Sequence, residues 1–169
     1  MPNWCEGKLK VRGKKENIVK WLAECVAVWK PGVEEGKPLY DALVFKRDTD
    51  GVSYTYNESF DELHISVKHD AYIAGTRRNF VQKHENDFTF GAKDGNDIIV
   101  LPVQAAWTFE AEPYKEMSRK YGLDFRFYGY ERGMKFNQEI EVVNGKVKID
   151  REIQFNDYWW ECPDPMLGG

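Results

Sequence analysis

The sequence predicts an α+β domain: one antiparallel sheet with two helices on one face, enlarged by an inserted middle region and an extra C-terminal β-hairpin. Three observations predict it. Along residues 103–109, Val103, Ala105, Trp107 and Phe109 fall on one side at period two, and Gln104, Ala106, Thr108 and Glu110 fall on the other, as in a half-buried strand. Ile18, Trp21, Leu22, Cys25, Val26 and Trp29 recur at three- and four-residue steps, which makes one stripe on an amphipathic helix. Asn144-Gly145 sits between alternating apolar residues, and two positive-φ residues there suit a tight hairpin turn.

The first strand covers residues 3–11, with Cys5, Gly7, Leu9 and Val11 alternating against Trp4, Glu6, Lys8 and Lys10, and Gly13 ends it. The helix follows over 15–29, closed by Pro31-Gly32, with Trp21 and Trp29 as core residues of its stripe. Residues 31–38 read as a loop, Leu43–Phe45 as a short strand, Asp48–Gly51 as a turn, and Val52–Tyr56 and Leu63–Val67 as strands. A helical turn is expected over Arg77–Glu85, an alternation at Phe88 and Phe90, and a turn at Gly91–Asn96. Ile98–Phe109 reads as strand throughout. Pro113 suits a first helical position and Gly122 the residue past the last turn of a helix over 113–121. Strand periodicity returns over 124–130, and Phe136, Gln138, Ile140 and Val142 share a face before the hairpin, whose return strand carries Val147, Ile149 and Ile153. The tail from Asp157 has no periodicity.

Strand, helix, insertion, strand, helix, strand is the β-α-β-β-α-β order of a ferredoxin-like domain. The expected organisation is a single domain over 1–169, with the scaffold in 1–30 and 88–130, an insertion over about 31–87, and the hairpin and tail in 131–169. Two stretches also resemble a known family. Met1-Pro2-Asn3-Trp4-Cys5 with Leu9, Val11 and Gly13, and then Ala105-Ala106-Trp107 with the run Tyr128-Gly129-Tyr130-Glu131-Arg132-Gly133-Met134-Lys135-Phe136, look like the YubB-type ferredoxin-like domain of plasmid and phage proteins. The similarity covers roughly residues 1–30 and 103–148. It implies the ferredoxin-like fold and an origin in a mobile element, and it carries no catalytic residues. Gly91-Ala92-Lys93-Asp94-Gly95 departs from the family's pattern in lacking its tryptophan.

Composition narrows the function classes. The chain is 15% aromatic and 31% charged, with no apolar run near the eighteen or so residues that span a bilayer, so a cytoplasmic location without membrane contact is expected. A net charge of −4 disfavours a general nucleic-acid binder, which needs a basic surface. Cys5, Cys25 and Cys162 are three and widely spaced, so reduced thiols are expected, with Cys5 and Cys25 packing as small hydrophobes. They and His64, His69 and His84 lack the paired spacing of a zinc site, and no nucleophile, acid–base pair or phosphate loop stands out. The reading is therefore a non-enzyme without metal or cofactor.

Two constellations remain. Tyr158, Trp159 and Trp160 form a large apolar load outside the periodic elements, the residue types that dominate protein-binding hot spots. The alternative is that the tail folds back and buries them. Arg126, Tyr128, Tyr130 and then Arg132 lie on the less apolar face of a strand, where stacked aromatics could receive single-stranded bases. The favoured function is a phage or plasmid accessory protein that binds a host or mobile-element protein complex. An inhibitor of a host defence complex, of the anti-CRISPR kind, is the example. The runner-up is a single-stranded nucleic-acid binder.

Overall fold

The computed structural model describes residues 3–33, 43–48, 51–92 and 94–169. The chain runs β1 (Trp4–Gly13), α1 (Lys15–Cys25), β2 (Val26–Val33), β3 (Leu43–Asp48), β4 (Val52–Asn57), β5 (Glu62–Val67), β6 (Ala71–Ile73), β7 (Asn79–Val81) and β8 (His84–Thr89). It continues with β9 (Asp97–Ala106), α2 (Ala111–Tyr121), β10 (Asp124–Glu131), β11 (Phe136–Val143), β12 (Lys146–Gln154) and α3 (Tyr158–Glu161). The fold is α+β, and every strand pairing among the described residues is antiparallel. Nine strands form one sheet in the order β12-β11-β10-β1-β9-β7-β6-β2-β3, and β4-β5-β8 form a second.

Strand alternation sorts the large sheet into two faces. Cys5, Leu9 and Val11 of β1, Ile99, Leu101, Val103 and Ala105 of β9, Phe125 and Phe127 of β10, and Ile140 and Val142 of β11 are all buried. Both longer helices press on this face. Trp21 of α1 and Tyr114 of α2 each lie 5.4 Å from the Phe125 ring, and Trp21 donates its indole N–H to Met117 Sδ at 3.4 Å. Each such aromatic removed from water stabilises the fold by roughly 2–3 kcal/mol. The Tyr121 hydroxyl ties the helices together, accepting from Cys25 Sγ and Lys120 Nζ and donating to Glu24 at 2.7 Å. Burial pushes the Cys5 thiol above its ordinary value, as befits a small side chain in the core.

Gly7 and Gly129 face each other across β1 and β10 because an aromatic ring lies over them. A Cβ on Gly129 would sit 2.1 Å from Phe127 Cζ. That ring in turn stacks on Phe109 at 3.6 Å. The hairpin turns as its sequence requires, with Asn144 at φ 51° and Gly145 at φ 67°. Gly122 likewise ends α2 at φ 65°.

Five expectations are corrected. Helix α1 stops at Cys25, four residues short. Val26 is extended and closes the helix on the Leu22 carbonyl, and Val26 and Ala27 pair with Ile73 and Tyr72 of β6. Sheet hydrogen bonding wins there over an apolar stripe that suits helix and strand alike, so Trp29 belongs to β2. Residues 31–33, expected as the start of a loop, are strand and pair with β3. Residues 34–38 of that loop lie outside the described residues, as do residues 49–50 of the turn expected at 48–51. Arg77–Glu85 is not helical. Asn79–Val81 is β7, which fills the backbone edge of β9, and β8 begins at His84. Finally β9 ends at Ala106. The chain then crosses onto the helix face, where the Gln138 side chain takes both the N–H and the C=O of Phe109 at 2.9 and 2.8 Å. Pro113 is the third helical residue of α2 and not the first.

The middle of the chain divides between the sheets. β2, β3, β6 and β7 extend the large one, whereas β4, β5 and β8 pack as a second layer through Leu63, Ile65 and Val67. Tyr54 donates to the Val26 carbonyl at 2.9 Å, and Lys15 at the start of α1 reaches Tyr56 and Asp61 at 2.9 and 2.8 Å.

Candidate functional site

One end of the large sheet gathers the start of β1, the end of β9, the β10–β11 turn and the tail. Trp4 pairs with Ala106, Glu131 with Phe136, and Phe136 with Gln154 just before α3. The Glu131 carboxylate, wholly buried, accepts the N–H groups of Gly133 and Met134 and so holds the β10–β11 turn.

The tail is folded onto this end and pinned at several points. Tyr158 is 4% exposed and Cys162 is as buried. Cys162 Sγ donates to Asn137 Oδ1 at 3.4 Å, and Asn137 donates to the Tyr128 hydroxyl at 3.2 Å. The Gly169 N–H donates to the Trp4 carbonyl at 2.9 Å, and Arg132 Nη1 to the Met166 carbonyl at 3.0 Å. The short helix α3 follows from these pins. It turns Tyr158 inward, while Trp159 is 51% and Trp160 86% exposed. The predicted tail trio is thus split: one anchor and two presented indoles.

Sequence reasoning missed the rest of this surface. Of the eight large apolar side chains exposed among the described residues, five lie at this end: Trp107, Met134, Trp159, Trp160 and Met166. Trp107 was in phase with a strand face, yet it is 49% exposed and sits at φ 74°, a left-handed conformation that costs a bulky residue roughly 1–2 kcal/mol. Its N–H donates to the Asn3 carbonyl at 2.8 Å, which fixes the turn. No signal of spacing marks Trp107, because the departure is set by where β9 loses its partners.

No family model, curated protein or solved structure matches the chain. What it can do must be read from its own surfaces.

The second predicted set lies on the sheet face that carries no helix. Arg126 donates to Glu139 at 2.8 Å, and Arg151 donates to the same carboxylate at 2.7 Å. These bonds, Arg151 first, hold the Glu139 carboxyl below its usual range. Tyr128 and Tyr130 meet edge to face at 5.6 Å, and burial raises the Tyr130 phenol. The set is therefore only partly assembled: Arg132 turns to the tail, Arg126 serves the strand pair, and the tyrosines remain on the face. Lys8 and Lys10 of β1, opposite Tyr128 and Arg126, are exposed and without an ion-pair partner among the described residues. Trp4 of β1, Phe80 of β7 and Tyr72 of β6 continue the aromatic line, with Arg78 5.9 Å from the Trp4 ring. No helix among the described residues is long and apolar enough to cross a membrane.

Proposed function

We propose that the chain is a non-enzymatic protein-binding module: a phage or plasmid accessory protein that docks on a host protein complex in the cytoplasm, of the kind that inhibits a defence complex such as a CRISPR effector. The observation that carries this reading is the presentation of Trp159 and Trp160. They stand in solvent on a turn whose neighbours Tyr158 and Cys162 are core residues. Indoles held this way bring area without an ordering cost on binding. Trp107, Met134 and Met166 widen the surface, and Met adapts to irregular partners. The mobile-element assignment rests on the resemblance to the YubB-type domain. We read β10-β1-β9, with α1 and α2 on one face, as that ferredoxin-like scaffold, with β7 inserted beside β9.

The non-enzymatic part is supported by the use of the polar clusters within the fold, where Tyr121, Lys15 and Glu139 each spend their hydrogen bonds on neighbouring elements. A single observation favours a second reading: Lys8 and Lys10 stand without an ion-pair partner among the described residues beside Tyr128 on the open face, as single-stranded nucleic acid would require. The deciding experiment is capture from host lysate by wild type and by Trp159→Ala/Trp160→Ala. The double variant should remain folded and lose the partner, each anchor contributing about 2 kcal/mol or more. Capture of nucleic acid that salt removes would instead support the second reading, and turnover of nucleotides or nucleic acid that tracks the protein would sink the non-enzymatic one.

A further inference from the structure

We propose that the indoles of α3 receive a basic, arginine-bearing segment of the protein partner, an inference that rests on the protein-binding reading above. The motivation is charge. Asp157 immediately precedes α3, Glu161 ends it and Asp164 follows two residues after Cys162, and all three are exposed. None has an ion-pair partner among the described residues. Residues 155–169 contain no lysine or arginine.

Elsewhere the described carboxylates are often answered: Asp124 by Arg12, Glu112 by Lys115, Glu116 by Arg119, Glu24 by Lys120 and Glu139 by two arginines. At the tail end Arg132 is held by the Met166 carbonyl, Arg77 lies 4.0 Å from Glu110 and Arg78 sits over Trp4, and none of these cations pairs with Asp157, Glu161 or Asp164 among the described residues. Glu161 accepts the N–H groups of Asn156 and Asp157 at 3.3 and 3.2 Å, which leaves the Asp157 and Asp164 side chains open beside the two presented tryptophans, and that setting suits a guanidinium better than any anion. The planar cation stacks on an indole face and forks to a carboxylate in one placement, which an ammonium does not do. The carboxylates also lie within a few residues of the indoles, close enough for their field to steer a cationic segment at physiological salt.

The test uses the full chain and a fluorescent nona-arginine peptide, read by anisotropy at physiological salt, with nona-lysine, nona-glutamate and a single-stranded oligonucleotide as comparisons. Nona-arginine should bind, more tightly than nona-lysine, and nona-glutamate should not. Asp157→Asn/Asp164→Asn, which leaves the Glu161 carboxylate on the Asn156 and Asp157 N–H groups of the α3 turn, should weaken binding about tenfold or more, and so should Trp159→Ala/Trp160→Ala. A control that neutralises Glu58, Glu62 and Asp94 on the other side of the molecule should leave it unchanged. Equal loss in that control means attraction to net charge alone and overturns the inference, as does an oligonucleotide that binds where nona-arginine does not. With a captured partner the two proposals separate. Loss in the tryptophan variant but not in the tail-charge variant overturns the basic segment and leaves the protein-binding reading standing. Retention in the tryptophan variant overturns that reading.

Discussion

The helix-covered face of the sheet and its tail end are both rich in large aromatics, and they use them in opposite ways. On the covered face Trp21, Tyr114, Phe125 and Phe127 are fully buried, with Trp21 and Tyr114 packed on Phe125 and Phe127 stacked on Phe109. At the tail end Trp107, Trp159 and Trp160 stand half or mostly in water while the backbone beneath them is pinned. An exposed indole does little for folding, and a rigid one is costly only to the chain that holds it. The difference shows that aromatic content alone does not separate core from surface. What separates them is whether neighbouring elements arrive to cover the ring.

The sharpest way to break the comparison is truncation on each side. Phe125→Ala should lose about 3–5 kcal/mol in urea unfolding, the cost of a large cavity under two helices. Trp160→Ala should stay within about 0.5 kcal/mol of wild type. Equal losses would mean that Trp160 is covered in solution and that the tail end is a core.

A smaller effect tests the polar lock between β10, β11 and β12. Glu139 is buried, but its partners Arg126 and Arg151 are more than half exposed, so solvent screens the pair. Glu139→Gln should cost about 1–2 kcal/mol at neutral pH. Because the folded carboxyl titrates below its ordinary value of 4.5, its contribution is complete above that value and is lost as pH falls through the lowered one. The gap between wild type and Glu139→Gln in denaturant midpoint should therefore close on the acid side of 4.5, and a gap that persists there would reject the charge pair as its source.

The smallest effect concerns the strained turn. Trp107→Ala and Trp107→Gly both remove the indole, but only glycine is at ease at φ 74°. The glycine variant should unfold about 1 kcal/mol later than the alanine variant. Identical midpoints would mean that the left-handed conformation is not held in solution.

Much of the scaffold was legible because local chemistry and tertiary need agree there. Alternation in β1, β10 and β11, the Asn144-Gly145 turn and the Gly122 stop all depend on residues within a few positions of one another. Where backbone partners come from afar, the pattern misled. The Val26–Trp29 run suited a helix until β6 offered Val26 a ladder, and Asn79–Val81 had no period of its own until the edge of β9 needed closing. The candidate site divides in the same way. Its residue types, two adjacent tryptophans beside acidic residues, are plain in the sequence. Their exposure is not, because Tyr158 and Trp160 are equivalent by composition. Only the fold decides which of them turns inward, through the burial of Cys162 against Asn137 and the seating of Gly169 on the Trp4 carbonyl, contacts that join residues 25 and 165 positions apart.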